Sequence, residues 1–100
     1  MKESIFQANL IRRIKSAFPG CIVLKNDANY IQGFPDLLIL YRDKWAALEC
    51  KRSIRSPKQR NQSYYIKVLN SMSCAYFISP ENEDEILINL MVFFEGRLTK

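Results

Sequence analysis

Histidine is missing from all 100 residues of the chain. That absence excludes Ser-His-Asp and Cys-His catalysis, the helical zinc motif, and any nuclease that uses an imidazole as its base. Hydrolytic chemistry in this chain has to run on carboxylates, lysine and a hard metal ion. Cysteine is sparse. Cys21, Cys50 and Cys74 are odd in number, far apart and set in apolar segments, with no CxxC. Neither a zinc ribbon nor a disulfide framework is supported, and the three read as buried free thiols. No apolar run reaches the length of a membrane span, and Met1-Lys2-Glu3-Ser4 lacks a signal-peptide core. The expectation is a cytoplasmic protein with no membrane partner.

Negative charge is also missing from one long stretch. From Cys50 through Pro80 there is no acidic residue, while Lys51, Arg52, Arg55, Lys58, Arg60 and Lys67 all fall there. A solvated helix face is one account of that run. A surface that tracks phosphates is the other, and it is favoured because the run starts beside the acids discussed below.

The length suits one domain spanning 1–100. Residues 3–18 have helical spacing through Ile5 or Phe6, Leu10, Ile14 and Phe18, and Pro19-Gly20 ends the helix. Cys21–Leu24 is suited to a strand, and 26–33 to a loop. Leu37–Tyr41 and Trp45–Cys50 are apolar on both faces, which predicts central strands covered by helices, joined by a turn at Arg42-Asp43-Lys44. Ser56-Pro57-Lys58-Gln59 offers an N-cap, a proline at the first helical position and a capping-box glutamine. The second helix is therefore expected to run from there to about Ser71, with Tyr65, Leu69 and Met72 facing inward. Cys74–Ile78 is a further strand. Pro80 and Asn82 open a third helix whose Glu83, Asp84 and Glu85 suit its positive end, a structural use of acids. Met91–Leu98 either continues that helix or forms a strand, and the apolar content of 86–94 offers surplus surface for an interface. The order α-β-β-β-α-β-α implies an α/β fold, a mixed central sheet flanked by helices.

Chemistry concentrates at Gly33-Phe34-Pro35-Asp36 and Glu49-Cys50-Lys51. Residues two apart on a strand share a face, so Glu49 and Lys51 are neighbours while Cys50 points away. A two-residue turn at Asp43-Lys44, or a four-residue turn over 42–45, pairs Leu38 with Glu49 and Asp36 with Lys51. All three polar groups then share one face. A three-residue turn sets Asp36 opposite Cys50 and breaks the arrangement unless a bulge corrects it. Two carboxylates at ~4 Å in an effective dielectric of ~20 repel by roughly 4 kcal/mol, which a divalent cation removes. Magnesium suits such a site because it needs few carboxylates, and Lys51 is placed to stabilise charge or orient a water. Gln62, three residues before Tyr65 and seven before Leu69, brings an amide to the apolar stripe of the second helix. Its partner there is either a site group or a backbone carbonyl.

Pro35-Asp36 with Glu49-Cys50-Lys51 resembles the signature of the PD-(D/E)xK nuclease superfamily, whose core is restriction-endonuclease-like. More narrowly, Glu3, Gly33-Phe34-Pro35-Asp36, Glu49-Cys50-Lys51 and Gln62-Ser63-Tyr64-Tyr65 are similar, in order, to the stand-alone viral-type replication-repair nuclease (VRR-NUC) domains, often encoded by phages. The resemblance implies that Asp36, Glu49 and the Cys50 carbonyl bind Mg2+ or Mn2+. It implies that Lys51 assists the nucleophilic water, that Gln62 supports the site, and that Glu3 helps through a water or a second ion. It further implies a homodimeric deoxyribonuclease acting on branched DNA such as four-way (Holliday) junctions or flaps in a bacterial or phage-infected cell. Lys51, Arg52, Arg55, Lys58 and Arg60 would hold the DNA. A non-catalytic nucleic-acid-binding module with vestigial acids, and a protein-interaction factor, are the other readings.

Overall fold

The computed structural model describes residues 1–96. Its elements run α1 (Glu3–Ala17), β1 (Ile22–Lys25), β2 (Leu37–Tyr41), β3 (Lys44–Cys50), α2 (Arg60–Met72), β4 (Ala75–Ile78) and α3 (Glu83–Glu95). The four strands form one sheet in the order β1-β2-β3-β4. The first two pairings are antiparallel, and β3 with β4 is parallel. The chain is therefore α/β with a mixed sheet, and β2 and β3 are its central strands.

Alternation along β2 and β3 separates two cores. Leu37, Ile39, Ala46, Leu48 and Cys50 face α1 and α3, where Phe6, Leu10, Ile14 and Phe18 meet Ile86, Leu87, Leu90 and Phe94. Ala47 and the half-buried Leu38 and Trp45 face α2, against Leu69, Tyr65 and Ile66. Phe6, rather than the exposed Ile5, carries the first turn of α1. Cys50 and Cys74 are buried free thiols, but Cys21 is only half-buried.

Several sequence expectations need correction. The hairpin turn is Arg42-Asp43, because Tyr41 pairs with Lys44. Arg42 takes the positive φ, 58°, that a primed hairpin turn demands. Tyr41 stays in the strand because its ring packs on Phe18 and Phe94 and its hydroxyl donates to Glu95 Oε2 at 3.0 Å. Helix α2 begins at Arg60, not after Ser56. Its N-cap is Gln59, and the capping box is reciprocal between Gln59 and Gln62. Ser56 instead accepts the Ser53 N–H in a turn. Met72 is exposed rather than inward. Met91 continues α3, which stops at Glu95 before Gly96 in the left-handed conformation; Leu98 lies outside the described residues. Ile86, Leu87, Leu90 and Phe94 are core, so the apolar surface that α3 leaves exposed is narrower than the whole of 86–94 and centres on Ile88 and Val92. Its acids are structural as expected, with Glu83 and Asp84 pairing with Arg13 at 2.8 Å each. Among the described residues, no helix is long and apolar enough to cross a membrane.

One glycine matters for the site. Gly33 has φ +87°, and a Cβ there would overlap the Asn61 Cβ and lie 2.9 Å from that residue's carbonyl carbon. The loop before β2 therefore packs backbone-to-backbone on the first turn of α2. Gly33→Ala is expected to cost roughly 2–4 kcal/mol in urea unfolding, from strain plus the overlap. Gly20 has a similar φ of 89° but open space around it. Gly20→Ala should cost only about 1 kcal/mol. Equal losses would mean the close approach is immaterial.

Candidate active site

The register sets the acids opposite one another. Leu37 pairs with Leu48, so one further step along the ladder brings Asp36 across from Glu49. This differs by two residues from the expected pairing of Asp36 with Lys51. A two-residue slip preserves the face, so Asp36, Glu49 and Lys51 still project together toward α2. The Cys50 side chain lies on the other side, in the α1–α3 core.

Backbone groups lock both carboxylates. Cys50 N–H donates to Asp36 Oδ2 at 2.8 Å, and Asp36 N–H donates to Glu49 Oε1 at 3.2 Å. Asn26 fixes the approach to β2. Its N–H reaches the Asp36 carbonyl at 2.8 Å, and its side-chain amide reaches the Pro35 carbonyl at 2.7 Å. Gln62 then joins the two ends of the site. Its Nε2 donates to Glu49 Oε2 at 3.0 Å, while its Oε1 accepts Lys51 Nζ at 2.6 Å and the Gln59 N–H at 3.0 Å. Lys51 Nζ also donates to the Pro57 carbonyl at 2.9 Å. That bond holds the segment before α2 extended, which is why the helix starts late.

Sequence reasoning placed Gln62 on a buried stripe. It is half-buried, and its partners are site groups rather than the duller carbonyl. Gln59, Pro57 and Asn26 were missed as supports. The Gln59-x-x-Gln62 spacing was a visible signal, whereas nothing local marks Asn26 or the Pro57 carbonyl.

Glu49 is 5% exposed and Lys51 8%, so charge is being held away from water. Burial, then the Asp36 charge, pushes Glu49 up to about 8, with Lys51 pulling the other way. Burial likewise raises Asp36, whose carboxyl is close enough to Glu49 to share a hydrogen bond. In the metal-free protein the pair therefore retains a proton near neutrality. A hard divalent cation would take that proton's place, and the all-oxygen donor set fits one. Among the described residues, no group of three or more His, Cys, Asp or Glu side chains is arranged to hold a metal. Two carboxylates with a backbone carbonyl and water are the set that magnesium accepts.

Glu3 is exposed, at the start of α1, and flanks an open recess of about 350 Å³ shared with Lys51, Arg52 and Gln59. Its charge reaches Glu49, but it joins none of the hydrogen bonds that tie Asp36, Glu49, Lys51 and Gln62 together. The basic side chains also sit elsewhere than expected. Arg52, Arg55 and Lys58 belong to the β3–α2 connection, and only Arg60 and Lys67 lie on α2. All five are exposed. Glu81 tethers that connection, accepting the Ser53 hydroxyl at 3.0 Å and the Ile54 N–H at 3.1 Å. The result is an anchored basic loop leading away from the acids. Comparison with family models, curated proteins and solved structures gives no significant match.

Proposed function

We propose that the chain is a metal-dependent DNA endonuclease with a PD-(D/E)xK core of the VRR-NUC type. The observation that carries this reading is the carboxyl pair of buried Glu49 and half-buried Asp36, cross-tied by backbone N–H groups and sharing its face with Lys51. No stability argument explains two acids pressed together beside a lysine that bonds neither of them. Binding a cation does explain them.

Asp36, Glu49 and the Cys50 backbone carbonyl would hold Mg2+ or Mn2+. Bound there, the ion would neutralise the pair, polarise a phosphate oxygen and favour deprotonation of the attacking water. The chain's own groups do the positioning. Gln62 fixes the Glu49 carboxylate through Oε2 and at the same time steers Lys51. An ammonium has three N–H donors, and Pro57 and Gln62 take two. The third is directed to substrate, where it stabilises charge gathering on the phosphate as water attacks and the phosphorus–oxygen ester bond breaks. Glu3 acts at the rim through a water or a second ion. Arg52, Arg55, Lys58 and Arg60 neutralise flanking phosphates and make binding salt-sensitive. A homodimer, with two such sites, would place paired nicks in a branched DNA such as a four-way junction.

The test is cleavage of labelled duplex, single-strand, flap and four-way-junction DNA with Mg2+ or Mn2+. Metal-dependent cuts are expected, fastest on the branched substrates. Salt-sensitive binding of every substrate with no cleavage would overturn the enzymatic reading in favour of a binding module. No DNA affinity at low salt would remove both.

A further inference from the structure

The loop between β1 and β2 displays an aromatic ring that the fold does not use. Tyr30 is 86% exposed, the most exposed of the large hydrophobic side chains among the described residues. The loop that carries it is tightly built. Asp27 Oδ1 accepts the Asn29 N–H at 2.8 Å, and the Asp27 carbonyl accepts the Tyr30 N–H at 3.1 Å. Its far end closes with Phe34 N–H on the Ile31 carbonyl at 3.2 Å, Phe34 edge-on to Tyr65, and Gly33 against α2. At its near end, Asn26 is bonded to the backbone of Pro35 and Asp36. An ordered loop thus holds a tyrosine in solvent from an anchor on the candidate metal ligand.

Beside that ring lies an open recess of about 430 Å³ lined by Lys25, Tyr30, Ile31 and Phe34, with Asn26 and Asp27 at its foot. Its chemistry is mixed in a specific way. Tyr30 and Ile31 offer apolar surface, and Lys25 brings a cation close enough to act on the Asp36 carboxyl. The one acid, Asp27, is engaged in the turn. An aromatic face beside a cation, leading from a phosphodiester-cleaving centre, matches one unpaired nucleotide: base on ring, phosphate on ammonium. A base pair inside continuous duplex has both faces covered by its neighbours and cannot stack there.

We propose that Tyr30, with Lys25, forms a stacking subsite for an unpaired base of DNA next to the strand held at Asp36 and Glu49. This deepens the nuclease reading and rests on it for the strand's placement. The subsite would make the protein prefer DNA with an unpaired nucleotide flanking the scissile phosphate over continuous duplex.

The test measures binding and cleavage separately on the full chain. Fluorescence anisotropy, at low salt in EDTA, compares a labelled hairpin bearing a short unpaired tail with the same hairpin made blunt. The wild-type chain should prefer the tailed hairpin. Tyr30→Ala should weaken tailed binding about 10-fold, leave blunt binding unchanged, and so erase the preference. Tyr30→Phe should restore it, because the ring and not the hydroxyl does the stacking. No tail preference in the wild type, or equal losses on both hairpins in Tyr30→Ala, would overturn the subsite. Cleavage with Mg2+ is then read on its own. A tail preference without cleavage keeps the subsite and removes the nuclease; cleavage without a tail preference does the reverse.

Discussion

Lys51→Met should lower metal-dependent DNA cleavage by about 100- to 1,000-fold, the usual scale for losing one preorganised group that meets developing charge. Methionine keeps most of the buried stem of Lys51, which is 8% exposed, so the fold should survive where alanine leaves a cavity. What disappears is the ammonium that Gln62 Oε1 and the Pro57 carbonyl hold in place. Its loss acts a second way, because the Lys51 charge also favours ionisation of both Asp36 and Glu49. Without it the pair holds its proton more firmly, and metal should bind more weakly as well. Glu49→Ala should be at least as damaging, since it removes half of the carboxyl pair. Single-turnover cleavage of a labelled junction, with urea unfolding as the control for folding, measures both. Cleavage within a few-fold of wild type in either variant would end the mechanism.

The metal-free protein should lose stability as pH rises, and Mg2+ should give it back. Glu49 sits at about 8 when folded, against an ordinary value of 4.5. A folded state that holds the proton more tightly is favoured at low pH. Its contribution is fully present below 4.5 and is lost as pH rises through 8. Asp36 is raised too, so it acts in the same direction. Between about pH 5 and 9 the loss should be roughly 3–5 kcal/mol. Glu49→Gln cannot ionise at that position, so its slope over this window should be clearly shallower than that of the wild type, with the Asp36 contribution remaining. That holds even though its new amide faces the Gln62 amide and lowers the whole curve. Saturating Mg2+ should flatten the wild-type curve, because the cation replaces the proton. Urea midpoints across this pH range, in EDTA and in Mg2+, provide the readout. Parallel slopes for wild type and Glu49→Gln would show that some other group titrates.

Much of the architecture was legible because its signals are local. The spacing of Leu10, Ile14 and Phe18 and the stop at Pro19-Gly20 mark α1 without reference to anything distant. The doubly apolar runs of β2 and β3 marked them as central strands. Boundaries failed where a distant group intervened. Ser56-Pro57 carries a sound local helix start, yet Lys51 takes the Pro57 carbonyl and the capping box forms at Gln59 and Gln62 instead. The hairpin differed at one residue: Lys44 joins β3 opposite Tyr41, which narrows the turn to Arg42-Asp43 with Arg42 at positive φ.

The opposed carboxyl pair shows where the division lies. By itself the sequence determined which chemistry is available: no imidazole, two acids and a lysine at strand spacing, and a long stretch free of acid. It also determined that any even slip of the hairpin keeps these groups on one face, since side chains on a strand alternate with period two. Only the tertiary structure decided that Asp36 meets Glu49 rather than Lys51, and that Gln62 from a separate helix joins acid to lysine. It alone placed Arg52, Arg55 and Lys58 on a tethered loop and left Tyr30 in solvent. Those facts depend on contacts between segments far apart in the chain, and no local pattern encodes which of two allowed partners a buried polar group will find.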